Sequence, residues 1–146
     1  MFNLYPRLAL RENRMILSRT ELEVRLEEAV RNNKSCEVGL YAFEEWRNSK
    51  PVVESVVVDS VLLKGDREEL EKVGEYYSKK GIRSYLLHDG EKYILILRIY
   101  LKSLEVLREF TVPFKVEVER DPLVKIVVPG AVNLRTGRKC RVVRKW

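Results

Sequence analysis

Cysteine and histidine are scarce: two cysteines and one histidine serve the whole chain. Cys36 and Cys140 form no C-x-x-C pair and His88 stands alone, so neither a zinc site nor a disulfide framework is indicated. Both cysteines read as plain thiols. No apolar run approaches the ~20 residues that cross a bilayer. Residues 1–14 (MFNLYPRLALRENR) also lack the apolar stretch of a signal peptide. A cytoplasmic protein with no membrane partner is expected. Repeats, linkers and low-complexity tracts are missing too, and 146 residues suit one domain, 1–146.

Charge is plentiful. Lys and Arg number 28 against 22 Asp and Glu, a formal charge of +6 that admits polyanions as partners through counterion release. Mixed charges of both signs also describe an ordinary solvated surface, so distribution decides. The distribution is uneven: residues 135–146 carry six Lys or Arg and no acid.

A helix is expected over 20–32, with Thr20 and Glu23 as a capping box and Leu22, Leu26, Ala29 and Val30 as its stripe. A short strand follows over 36–41, then a loop through 44–51. Residues 52–63 form a dense β-branched run that reads as one strand buried on both faces. Asp59 interrupts it, and a carboxylate there must be hydrogen-bonded, metal-bound or at a strand end. Asp66 and Glu69 open a helix with Leu70, Val73 and Tyr77 on its buried face, and Gly81 ends it. Strands are expected over 82–87 and 92–100, joined at Asp89-Gly90, then a helix over 101–110 and a strand at Phe114, Val116 and Val118.

From Val52 to Val118 this order is β-α-β-β-α-β. The expected fold is therefore α+β: an RRM-like split βαβ core, two helices on one sheet face and the other face free for a ligand. An N-terminal helix and strand would be appended, and 123–128 with 135–143 would make a basic C-terminal hairpin. Arg135, Arg138, Lys139 and Arg141 surround its Thr136-Gly137 turn, where guanidiniums can grip phosphates. The bland alternative is a charged edge that blocks strand aggregation.

Several segments together resemble the small catalytic subunit of archaeal and eukaryotic-type DNA primases. Arg7-Leu-Ala-Leu-Arg11, the helix after Thr20 and Tyr41-Ala-Phe-Glu-Glu45 look like the family's opening. Val56-Val-Val-Asp59 looks like its first acidic motif, and the segment from Lys80-Gly-Ile-Arg83 to Asp89-Gly90 sits where its Ser-Gly-x-x-Gly-x-His motif falls. The most specific likeness is Asp121 followed by Val128-Pro-Gly-Ala-Val-Asn-Leu-Arg-Thr-Gly137, similar to the family's Asp and its Pro-Gly-Ser-Leu-His-x-Lys-Thr-Gly.

The resemblance implies a catalytic and metal set of Asp59 and Asp121, with Mg or Mn if the chain is active, and phosphate contacts from Asn133, Arg135, Arg138, Lys139 and Arg141. The departures are informative. The second carboxylate of the first motif falls on Val61, which cannot ligate a metal; Tyr93 and Leu95 replace the glycine and histidine of the second; Asn133 replaces a histidine in the third. The expected function is a shortened, catalytically inactive, primase-like replication accessory protein that binds nucleic acid, DNA favoured, or a replication partner, with no cofactor. The alternatives are an active metal-dependent primase or polymerase, and a protein-interaction module built on the surface around Trp46 and Trp146.

Overall fold

The computed structural model describes residues 23–146 in full and the backbone of 7–10, 13–16 and 19–22. Strands β1 (Arg7–Leu10) and β2 (Asn13–Ile16) precede helix α1 (Arg19–Arg31). Short strands β3 (Glu37–Gly39), β4 (Ala42–Phe43), β5 (Trp46–Arg47), β6 (Lys50–Pro51) and β7 (Val56–Val57) follow, with a 3-10 turn over Val53–Ser55. Then come β8 (Val61–Lys64), α2 (Arg67–Ser78), β9 (Ser84–His88), β10 (Tyr93–Leu97), α3 (Leu104–Glu109), β11 (Glu117–Val118), β12 (Lys125–Val127) and β13 (Arg141–Lys145). The chain is mixed α+β with antiparallel sheets. Among the described residues no helix is long and apolar enough to cross a membrane.

The helices lie close to where the hydrophobic period puts them. α1 begins at Arg19, one residue before the expected capping Thr20, and the Thr20 and Leu22 side chains lie outside the described residues. α2 starts after Asp66 and buries Leu70, Val73, Gly74 and Tyr77. Gly81, at φ +79, ends that segment in a conformation side chains resist. Ser103 caps α3 by accepting from the Val106 N–H.

The single strand expected over 52–63 is two. Val56 and Val57 pair with β4 and Val58 bridges Leu101, whereas Val61–Lys64 pairs with β10 and β11. The chain changes partners at Asp59-Ser60. That break answers why an apolar run tolerates a carboxylate: Asp59 sits between pairings, part-exposed, within reach of Ser60 and Arg98.

The larger sheet runs β11-β8-β10-β9-β13, all antiparallel. Residues directly opposite one another share a face. One face therefore carries Val61, Leu63, Leu95, Leu97 and Leu86, which with Leu70 and Val73 of α2 and Leu104 and Leu107 of α3 belong to one buried core. The opposite face carries Leu62, Leu87, Ile94 and Ile96, and these are buried as well. The expectation of a free second face is thus corrected. Four large aliphatic side chains left in water would forgo about 1.5–3 kcal/mol each, so the fold covers them. β12 lies over this face, where Val124 and Ile126 line a cleft with Leu62, Lys64 and Ile94.

Two further expectations change. β12 does not pair with β13 as a C-terminal hairpin: it joins β3 in the sheet β12-β3-β1-β2, while β13 adds to β9. The cause is apolar demand, since Ile126 and Val127 are buried in the core, whereas β13 presents mostly exposed residues and suits an edge. The N-terminal segment is accordingly no appendage. The expected loop at 44–51 also holds a small hairpin, β5 against β6.

Both cysteines are buried thiols, Cys36 and Cys140, and burial pushes each pKa up to about 11, aided by Glu37 and Asp89 respectively. The reactive species is the thiolate. Native protein at pH 7.5 should therefore resist a disulfide-exchange reagent that labels both thiols at once in denaturant. Rapid labelling of the folded protein would contradict the buried placement.

Candidate nucleic-acid interface

Residues 131–140 form a loop closed by a bridge between Val132 and Lys139. Its backbone N–H groups at Thr136 and Gly137 donate to the Asn133 carbonyl, at 3.3 and 2.8 Å, and Gly137 turns at φ +74. The loop is then fastened to the β9-β10 turn. Asn133 Nδ2 donates to the Asp89 carbonyl at 2.9 Å and Thr136 Oγ1 to the Gly90 carbonyl at 2.9 Å, while within the loop the Asn133 N–H donates to the Arg138 carbonyl at 2.8 Å. Asp89 braces the receiving turn, its Oδ1 accepting the N–H groups of Glu91 and Lys92. Asn133 is buried, and its Oδ1 also accepts from the Arg135 N–H, so both ends of its amide are engaged.

This fastening holds the cations out. Arg135, Arg138, Lys139 and Arg141 are all exposed. Arg135 Nε lies 3.8 Å from Glu91 Oε2, an exposed pair worth little. Arg138, Lys139 and Arg141 have no ion-pair partner among the described residues. On the neighbouring strand edge Arg144 is committed elsewhere, to Glu75 of α2 at 2.5 Å.

Behind Arg135 lies a cleft of about 180 Å³ whose lining mixes Lys64, Lys92 and Lys125 with Glu37, Asp89 and Glu91. Lys64 is hydrogen-bonded to Glu119. Burial raises the Glu119 carboxyl, but Lys64 and the N–H groups of Asp121 and Arg120 outweigh it and leave the pKa lowered. Lys64 and Lys92 carried no motif signal; only the register of β8 and β10 brings them here.

The acidic residues lie apart from this loop. Asp59 precedes β8, whose first residue Val61 is opposite Leu97 at the far end of β10 from the Asp89-Gly90 turn. At about 3.3 Å per residue, five-residue β10 alone separates the two ends by more than ~13 Å. Asp59 therefore does not join Asn133 and Arg135. Asp121 is exposed and its Oδ1 accepts the Leu123 N–H at 2.9 Å, the turn-forming role open to an Asp-Pro pair. On β8, the side chains that reach the cleft beside Arg135 are Leu62 and Lys64, an aliphatic group and a cation where two-metal chemistry needs carboxylates. Among the described residues no group of three or more His, Cys, Asp or Glu side chains is placed to hold a metal ion.

The other signalled aromatics turn inward. Tyr41 is buried; burial first, then the charges of Asp59 and Glu119, raises its pKa. Trp46 packs edge-on against Phe43 and donates Nε1 to the Phe43 carbonyl, and Trp146 donates to Glu75. No protein-family model, curated protein or solved structure matches this chain.

Proposed function

We propose that this chain is a nucleic-acid-binding protein that grips a phosphate backbone through the 131–141 loop, as a catalytically inactive, primase-like accessory to replication in the cytoplasm. The observation that carries the reading is the fastened loop: Asn133 and Thr136 tie it to the Asp89-Gly90 turn while Arg138 and Lys139 stand exposed without an acidic partner among the described residues. Cations already held in place lose less freedom on binding an anion than cations on a free tail. The order β11-β8-β10-β9, with α2 between β8 and β9 and α3 between β10 and β11, is what supports an RRM-like split βαβ scaffold. Fold analogy carries no function by itself, so the cations bear the argument.

The test is salt dependence. Arg138→Ala with Lys139→Ala removes the two cations with the fewest internal ties. The slope of log affinity against log salt on duplex DNA should flatten by about 1.8 and affinity at low salt should fall at least tenfold, each phosphate contact contributing roughly 0.9 to the slope. An unchanged slope would rule out the loop. A primer-extension assay with Mg²⁺ or Mn²⁺ is expected to give no product, and template-dependent synthesis lost in Asp59→Ala would replace this reading with the enzyme.

A further inference from the structure

At the end of the sheet opposite the basic loop, a groove of about 510 Å³ is lined by Asp59, Gly81, Arg83, Tyr85, Arg98 and Tyr100. The register builds it. The Arg98 N–H donates to the Arg83 carbonyl at 2.9 Å, continuing the β9-β10 ladder, so the two arginines stand side by side on adjacent strands. Alternation then puts Arg83, Tyr85, Arg98 and Ile96 on one sheet face, the face that β12 covers farther along. Lys145 of β13 pairs directly with Tyr85 and shares that face.

The chemistry of this wall is specific. Two guanidiniums, Arg83 and Arg98, line the groove with two phenol rings, Lys145 pairs beside one of them, Tyr85, and Tyr100 leaves 70% of its surface in water. Aromatic surface that wet, beside clustered guanidiniums, matches a ligand with both a flat face and an anionic group. Asp59 Oδ2 lies 3.9 Å from Arg98 Nη2, an ion pair longer than a hydrogen bond. Its carboxylate repels phosphate, which leaves the arginine side as the anion's place. Gly81 opens the floor, since a Cβ there would meet nothing within 4 Å. The volume suits one nucleotide-sized group.

We propose that this groove is a nucleic-acid contact separate from the loop, holding one unpaired nucleotide of a single strand with its base stacked on Tyr100 and its phosphate between Arg83 and Arg98. It rests on the reading of the chain as a nucleic-acid binder, but not on the loop. An unpaired base is required because a duplex buries both faces of each base in its own stack, and base-aromatic stacking is tolerant of sequence. The β13 edge, with Arg141 near the loop and Lys145 opposite Tyr85, lies between the two contacts.

Fluorescence anisotropy with a labelled thymidylate oligomer and a duplex of equal length tests this. Tyr100→Ala, whose ring is largely solvent-exposed, should weaken the single strand about fivefold, the low end of stacking contributions, and leave the duplex unchanged. Tyr100→Phe should bind as the parent does, and Arg83→Ala should weaken the single strand and flatten its salt slope by about 0.7. A uridylate oligomer shows whether ribose or deoxyribose is preferred. Loss on both probes equally, or on neither, overturns the groove. Groove-dependent binding of the single strand with a duplex that ignores Arg138→Ala and Lys139→Ala would instead overturn the loop, and a parent that binds neither probe overturns both.

Discussion

Gly90→Ala should destabilise the protein by about 3 kcal/mol and at the same time weaken its hold on nucleic acid. Two separate penalties meet at this position. Gly90 lies at φ +94, where an L side chain costs roughly 1–2 kcal/mol. An added Cβ would also stand 2.8 Å from the Arg138 carbonyl oxygen and 2.9 Å from Asn133 Cβ, so the basic loop must retreat from the turn. Retreat breaks the Asn133-to-Asp89 and Thr136-to-Gly90 hydrogen bonds, about 1 kcal/mol each. Gly137→Ala is the control, because it shares a positive φ, +74, yet its Cβ meets nothing within 4 Å. It should cost only the backbone term, about 1–2 kcal/mol. Urea denaturation of both variants measures the gap; equal losses would show that the close docking of loop on turn contributes nothing.

That pairing also marks what was legible in the sequence. Asp89-Gly90 reads as a turn from its residues alone, and Leu70, Val73 and Tyr77 declare a buried helix face, because both signals are local. The fastening of Asn133 on Asp89 is not local: 44 residues separate them, and a buried asparagine looks in sequence like any loop asparagine. For the same reason the expected last hairpin is absent, β12 and β13 joining different sheets. Strand character in 123–128 and 135–143 is legible, and the strands form at 125–127 and 141–145, but which edge each joins depends on Glu37–Gly39 and Ser84–His88, and an apolar strand goes where it can be buried.

Asp59 shows the converse. Its oddness inside a valine run was visible, yet the run hid a change of partner, from β4 to β10 and β11, that needed no special residue beyond the polar pair Asp59-Ser60 itself. The groove it borders went unseen since Arg83 and Arg98 are 15 positions apart and meet only through the β9-β10 register. Acid, cation and aromatic each looked like ordinary surface until the strands aligned them.

Gly74→Ala should be destabilising in the parent and stabilising once Trp146 is removed. A glycine in the middle of α2 forfeits about 1 kcal/mol of helix propensity relative to alanine, so its presence needs a local reason. Trp146 provides one: a Cβ on residue 74 would lie 2.7 Å from three atoms of the indole ring. The ring could not stay. With it would go the Nε1 hydrogen bond to Glu75 at 3.1 Å, the Arg144 guanidinium stacked 4.6 Å from the ring, and the Trp146 N–H bond to the Ser84 carbonyl that finishes the β13-β9 ladder. Displacing this cluster should cost about 2–3 kcal/mol, which outweighs the propensity gain and leaves a net loss of about 1–2 kcal/mol. In a Trp146→Ala background the clash is absent, and the same Gly74→Ala change should stabilise by up to about 1 kcal/mol. The change of sign is the diagnostic, because a purely helical effect would keep one sign in both backgrounds. The cluster also sets the end of β13 beside Tyr85. Gly74→Ala in the parent should therefore loosen the pairing of Lys145 with the groove residue Tyr85 and weaken single-strand binding, while the 131–141 loop, fastened independently at Gly90, keeps its affinity for duplex.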